Sequence, residues 1–446
     1  MRLVRDYNGK EQHFSFRLMR KSESIALSDV LPILENFGLR VLGERPYEIV
    51  NATGNSVWLH VFALEYCPCG DQPQAVDIDT VAPAFETAFT QVWHGHAESD
   101  LFNRLIFAID IDWRAIAMLR AYSRYMKQIN LHYTRPFVAN TLAKHASLSA
   151  LLTQLFQLRF APYEIGSTEL CDLECELLET ALIEGLDAVD NLSEDKIIRQ
   201  YLTLLKATLR TNFYQLQNNG EAKPYFSFKF DVSSIPEAPK PRPMFEIFVY
   251  SPRVEGVHLR FGKVARGGLR WSDRQEDFRT EVLGLVKAQQ VKNSVIVPMG
   301  AKGGFVCKQA PSSSDREAFQ AEGVACYRTF ISALLDVTDN LKDAEVIPPV
   351  NVVCWDGADP YLVVAADKGT ATFSDLANEI SADYGFWLGD AFASGGSVGY
   401  DHKKMGITAR GAWVSVQRHF RELGLNTQQE DFTVVGVGDM GRRCFW

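Results

Sequence analysis

Lys292 and Lys302 bracket the stretch VKNSVIVPMGAKGGFVCK, residues 291–308, ten positions apart. Read as a helix end, a buried strand SVIVP and a glycine-rich turn MGAKGG, the stretch brings both ammonium groups to the margin of one pocket. Upstream, KVARGGLRWSDR places Arg266 and Arg270 around the glycine pair Gly267-Gly268, read as the end of a strand. Paired glycines let backbone N–H groups approach a ligand closely, and arginine offers a planar fork matched to a carboxylate. On that segment alone, a surface turn fits equally well. Converging cations repel one another and add nothing to stability, whereas a doubly negative ligand between them gives them a purpose. A lysine desolvated among other cations has a lowered pKa, which suits a base or nucleophile.

Further on, Asp367 follows the apolar run YLVVAA, where a carboxylate serves as general acid or base. The alternative is a plain ion pair with Lys368 or another nearby lysine. Thr370 or Thr372 is placed to cap the following helix. The glycine-rich GGSVGYDHKKMGITARGAW, residues 395–413, enters a helix at about Thr408, a place suited to an anion or the edge of a nucleotide. Finally DFTVVGVGDMGRRCFW reads as a strand running into Gly436-x-Gly438-x-x-Gly441, the glycine spacing of a dinucleotide-binding turn. A Walker-type phosphate loop does not fit Lys302, since neither Ser nor Thr follows it and the leading glycine is misplaced.

Three textures position these residues. Residues 1–95 read as β-α-β-β: HFSFRLMR, a short helix SDVLPILENFG capped by Ser28 or Asp29, then RVLGERPYEIV and SVWLHVFALEY. That order suggests a ferredoxin-like or ACT-like module. Residues 96–222 carry helical periodicity, from Glu98 to about Gln217. After the proline-dense PEAPKPRP, residues 236–243, strands and helices alternate through 223–430 in the manner of an α/β layer. Helices are expected there at about 276–291 and 314–341, the first with an apolar face of Phe278, Val282, Leu285 and Val286. The whole is a multidomain α/β and α+β chain, with residues 431–446 as the first strand of a truncated Rossmann domain.

Composition sets outer bounds. The 446 residues exceed one ordinary core, and 46% hydrophobic with 23% charged residues is a globular balance. A formal charge of −9 argues against nucleic acid or an anionic membrane surface as a partner. No apolar run reaches the roughly 18 residues of a membrane span, and the opening MRLVRDYNGKEQHF lacks a signal core. A cytoplasmic location is expected. The eight cysteines lack zinc-like spacing and read as reduced, mostly buried thiols. No metal is assigned to them or to His94 and His96, and none of the chemistry above requires one.

The string ARGGLRWSDRQEDFRTEVLGLVKAQQVKNSVIVPMGAKGGFVCK resembles the substrate domain of glutamate dehydrogenases, most closely the large bacterial NAD-specific type. LSDVLPILENFGLRVLGERPYEI and FNRLIFAIDIDWRAIAMLRAYSRYMKQ extend the resemblance to the N-terminal and helical regions. It implies binding of L-glutamate and 2-oxoglutarate, NAD as cofactor and a homo-oligomer. By the same resemblance Arg266 holds the side-chain carboxylate beside Gly267 and Gly268, and Lys292 holds the α-carboxylate. Lys302 activates water, Asp367 transfers protons, and Thr408, Gly436 and Gly438 face the cofactor. Arg266 stands where smaller relatives carry lysine, and MGAKGG is one glycine shorter than their MGGAKGG. After GVGDM the likeness ends in GRRCFW, which implies a fragment whose cofactor domain is incomplete. Such a fragment is expected to be inactive alone, while binding a dicarboxylate or assembling with other subunits. Phenylalanine- and leucine-type dehydrogenases share the lysine and aspartate set, but an apolar side chain has no use for Arg266.

Overall fold

A computed structural model describes residues 1–6, 12–50, 54–69, 76–162, 168–292, 299–370, 372–399 and 405–435. The N-terminal unit is a four-stranded antiparallel sheet of order β1-β2-β4-β3, with strands Arg2–Arg5, His13–Lys21, Leu39–Val50 and Ser56–Tyr66. Helices α1 (Leu27–Asn36) and α2 (Ile78–Trp93) complete it. Alternation along β2 sends Phe14, Phe16 and Leu18 to the helix side, where Phe16 meets Phe85 edge-on at 5.4 Å. The expected β-α-β-β core is present, and β1 occupies the free edge beside β2, so the ferredoxin-like edge position is filled from the N-terminal side. Neither Ser28 nor Asp29 caps α1. Its N-cap is Ala26, without a side-chain bond, and Asp29 sits in the first turn.

The helical region contains α3 (Leu105–Ile109), α4 (Trp113–Gln128), α5 (Arg135–Lys144), α6 (Ala146–Phe160), α7 (Thr168–Leu186) and α8 (Leu192–Ala207). The periodicity before α4 is interrupted at Asp110, whose φ of 50° is left-handed, and Asp112 restarts the helix by accepting from Ala115 N–H at 2.7 Å. Helical structure ends at Ala207, not Gln217. Residues Thr208–Thr211 form β5, the edge of the large sheet, since β-branched and buried Thr208 packs against Tyr122.

That sheet has the order β13-β9-β10-β8-β7-β6-β5. Its members are β6 (Phe226–Asp231), β7 (Phe245–Tyr250), β8 (Val254–Arg260), β9 (Gly267–Trp271), β10 (Ala301–Cys307) and β13 (Val364–Ala366). From β5 to β10 the pairing is antiparallel; β10-β9 and β9-β13 are parallel. Helix α9 (Phe278–Lys292) covers one face through Phe278, Val282, Leu283 and Val286, with Leu285 only half-buried. Helix α10 (Arg316–Leu335) and α11 (Ser374–Asp383) cover the other, meeting Phe305, Leu269 and Val364. A β-hairpin, β11 (Asn340–Lys342) and β12 (Glu345–Ile347), follows α10, which ends at Leu335, short of position 341. Helix α12 (Ile407–Glu422) carries Thr408 in its first turn.

Several expected elements are displaced. Gly267-Gly268 begins a strand, and Lys302-Gly303-Gly304 lies inside β10, not in a turn. Both glycine pairs belong to strands because neighbours already occupy the space a side chain would need. A Cβ on Gly267 would lie 1.5 Å from Ala301 O, and one on Gly303 would lie 2.4 Å from Leu269 Cδ2. Gly267→Ala is therefore expected to destabilise the sheet by 3 kcal/mol or more, about the upper end for overpacking, read as a lowered urea midpoint. Residues 432–435 carry no strand, although FTVVGVG reads as one. The segment SVIVP, Gly436 and Gly438 lie outside the described residues.

Candidate active site at the parallel edge of the sheet

The parallel register pairs Gly303 with Leu269 and Leu269 with Ala366, so on neighbouring strands Arg270 and Asp367 follow that level by one residue and Lys302 precedes it by one. Alternation turns Leu269 and Phe305 toward α10, while Arg270 and Lys302 emerge on the α9 side with Asp367, one residue beyond Ala366. Asp367 accepts from Lys302 Nζ at 2.6 Å and from Arg270 Nε at 3.3 Å. Arg270 reaches onward to Glu281 of α9 at 2.9 Å, and the Ser272 hydroxyl donates to the same carboxylate at 2.6 Å. The resulting chain, Lys302, Asp367, Arg270, Glu281, ties three strands to a helix. These four charged side chains are between 14% and 19% exposed, shielded enough for charge to matter and open enough for a ligand to reach them.

Thr370 fixes the turn that presents Asp367. Its hydroxyl accepts from Asp367 N–H at 3.0 Å and donates to Leu269 O at 2.7 Å. Thr370 thus does not cap α11, nor does Thr372; the N-cap is Phe373, without a side-chain bond. Burial alone raises the Asp367 pKa, but hydrogen bonds from Lys302 and Arg270 outweigh it and hold the carboxyl below its ordinary range.

Lys302 was expected among cations; its 2.6 Å partner is an anion, and the nearby guanidinium of Arg270 is itself bridged to Asp367 and Glu281. Arg266 stands one residue before β9, in an isolated bridge to Gly300. Its N–H donates to Met299 O and its C=O accepts from Ala301 N–H, while its exposed side chain makes no ion pair or hydrogen bond among the described residues. Among the described residues, its guanidinium is thus without a partner one residue before Gly267. Lys292 is the last residue of α9, its side chain outside the described residues, as is that of Thr408. Sequence reasoning missed Glu281 and Ser272. The available signal was a carboxylate at position 281 lodged between the buried Phe278 and Val282 of one helix face. No group of three or more His, Cys, Asp or Glu is placed to hold a metal among the described residues, and no helix there is long and apolar enough to cross a membrane.

Comparison with known proteins bears on the whole length. Residues 181–445 match the family model for the bacterial NAD-glutamate dehydrogenase catalytic domain, residues 97–162 glutamate dehydrogenase helical motif 3, and residues 1–81 the glutamate dehydrogenase ACT3 domain. An NAD-specific glutamate dehydrogenase of Pseudomonas aeruginosa is 58% identical over 435 residues, covering 98% of this chain and 27% of that protein. That of Halomonas elongata is 58% identical over 434 residues, covering 97% of this chain and 26% of its own. The Mycobacterium tuberculosis enzyme is 51% identical over 429 residues, covering 94% and 26%. The chain spans about a quarter of the length of these curated relatives. The catalytic-domain match takes in more than half of the chain and every strand of the seven-stranded sheet: the chain belongs to the bacterial NAD-glutamate dehydrogenase family.

Proposed function

We propose that this chain supplies the glutamate-binding and proton-handling half of an NAD-dependent glutamate dehydrogenase, converting L-glutamate, NAD and water to 2-oxoglutarate, ammonia and NADH. The contact of Lys302 with Asp367 at the parallel edge carries this reading. Neither group accepts a hydride, so the oxidation needs a bound acceptor, which NAD supplies when present. Arg266 holds the side-chain carboxylate over the backbone of Gly267 and Gly268, and Lys292 holds the α-carboxylate. Lys302 orients the water that adds to the imine carbon, and the ionised Asp367, hydrogen-bonded to Lys302, takes that water's proton. Asp367 then protonates the departing nitrogen.

Thr408, Gly436 and Gly438 are assigned to the cofactor side, with residues 431–446 as the start of a nucleotide-binding domain. Residues 1–95, 96–222 and 223–430 are assigned as ACT-like, helical and glutamate-binding units. The full protein is proposed to be a cytoplasmic homo-oligomer that binds neither nucleic acid nor membrane, in keeping with the acidic charge of −9.

Calorimetric titration of the chain with 2-oxoglutarate tests the reading: saturable heat that disappears in Arg266→Ala supports it, and no heat from the folded wild type overturns it. A pH series adds a second check. An ionised Asp367 favours the folded, ligand-ready arrangement above the ordinary aspartate range, and that contribution is lost as pH falls through its lowered pKa. Arg270→Gln removes one of the groups that lower it. The acid loss of 2-oxoglutarate binding should therefore begin at higher pH in the variant; superimposable profiles would show that Arg270 does not set Asp367.

A further inference from the structure

Six cysteines have described side chains, and they divide sharply by surroundings. Cys175, Cys307 and Cys326 are buried, and Cys354 is half-buried with its thiol pushed up by burial. Cys67 is exposed and Cys69 half-buried, with Pro68 between them, just past the end of β4. Arg104 donates from its guanidinium to the Cys69 sulfur at 2.6 Å and to Asn140 Oδ1 at 2.6 Å. Among the described residues no carboxylate pairs with Arg104, and its Nε is buried without a hydrogen-bond partner, so what the guanidinium meets there is the Cys69 sulfur and Asn140. Backbone contacts hold the neighbourhood in place: Cys67 N–H donates to Gly38 O at 2.9 Å, and a Cβ on Gly38 would touch Arg104 Cβ at 3.5 Å.

A fixed positive charge against the sulfur and access to solvent separate reactive cysteines from structural ones. A second thiol within reach separates a reversible site from one that proceeds to irreversible acids. We infer that Cys67-Pro68-Cys69 is a peroxide-reactive dithiol, with Cys69 as the attacking sulfur and Cys67 as the resolving one. This site is independent of the glutamate chemistry.

The chemistry balances with hydrogen peroxide as the oxidant. The Cys69 sulfur attacks one peroxide oxygen and the O–O bond breaks. The departing hydroxide takes the thiol proton as water, leaving a sulfenic acid. The Cys67 sulfur then attacks the Cys69 sulfur, the S–O bond breaks, and the hydroxyl leaves with the Cys67 proton as a second water. Two sulfurs lose one electron each, peroxide gains two, and a Cys67–Cys69 disulfide remains. A dithiol reductant reverses the step by exchange. Positions two apart can approach within the Cα separation of about 4.4–6.8 Å that a disulfide requires when the chain turns at the residue between them; the bend here falls at Cys69 itself, so closing the link turns the chain at Pro68 and frees the Cys67 thiol from Glu65 O, 3.9 Å away. The guanidinium that bridges Cys69 to α5 loses its sulfur contact in the process, so the oxidation is felt where the N-terminal module meets the helices.

The test treats the reduced, full chain with a modest excess of hydrogen peroxide, with and without a cyclic dione that traps sulfenic acids, and maps each cysteine peptide by mass spectrometry. The peptide carrying both residues should lose two hydrogens before any other cysteine changes, and dithiothreitol should restore it. In Cys67→Ser the dione adduct should accumulate on Cys69 instead, and Arg104→Gln should slow its formation several-fold. Prior oxidation of Cys354 or of the buried thiols in the wild type overturns the inference. So does oxidation of Cys67 and Cys69 to separate acids with no link between them. The wild-type result decides on its own, whether or not the variants fold.

Discussion

Lys302→Ala in the full-length enzyme is expected to lower the rate of glutamate oxidation by roughly 10²–10⁴-fold, the usual share of a positioned acid–base group. Binding should suffer less, because the cations proposed to hold the carboxylates, Arg266 and Lys292, are left in place. The fold should survive, since Asp367 keeps Arg270 and its own turn through Thr370. The diagnostic pattern is a collapse of kcat with KM changed far less, alongside an unchanged thermal midpoint. If kcat is retained, Lys302 is not the water-activating group, whatever its neighbours.

The largest effect on stability should come from Asp359→Ala. Beneath β6 and β8, Lys229 donates to Asp359 at 2.6 Å and also contacts Asp356; Arg260 forks onto Asp359; Arg210 bridges Asp339 at 2.7 Å and Asp356 at 2.5 Å. Three cations and three anions are thus closed off together, none more than 9% exposed. Removing one anion strands charge in a medium that cannot solvate it, at about 3–5 kcal/mol. Urea unfolding followed at the sheet domain should show that loss, and a loss below about 1 kcal/mol would mean water reaches the gap.

The pH dependence has a defined sign. Burial raises the Asp359 pKa, but Arg260 and Lys229 bring it down to about 2. Its contribution is therefore complete above the ordinary aspartate value of 3.8 and is lost as pH falls toward 2. His258, next along β8, adds no titration near neutrality, because burial and then Arg260 push it down to about 3.

Some of this was legible in the residues. Asp367 stands at the end of β13 because an apolar run broken by one carboxylate can hardly be anything but a buried strand meeting solvent. The N-terminal strands were visible as alternation, and Phe14, Phe16 and Leu18 confirm its phase. Glycine misled. Gly267 and Gly303 punctuate turns in most sequences, but here they yield space to Ala301 O and Leu269, facts of cross-strand approach that no local pattern holds. The helix running into residue 217 failed for a similar reason: Thr208–Thr211 becomes a strand because β6 is there to pair with it. The charge network was invisible, its members scattered from Arg210 to Asp359 and individually indistinguishable from surface residues. Of the site residues, Lys302, Asp367 and Arg270 converge as a group, whereas the length of α9 conceals Glu281 until its face is known.

The parallel edge carries one more consequence, for the order in which the protein is made. Strand β9 ends at Trp271, but its outer neighbour β13 begins only at Val364, after α10 and the hairpin that follows it. The antiparallel part from β5 to β8 joins strands close in sequence and can form as each leaves the ribosome, whereas closing so long a loop is entropically slow. A nascent chain therefore holds Lys302 in a nearly finished sheet before Asp367 exists to meet it. The contact of Lys302 with Asp367 therefore forms only with the outermost strand, so the proposed acid–base pair and completion of the sheet arrive in a single late step.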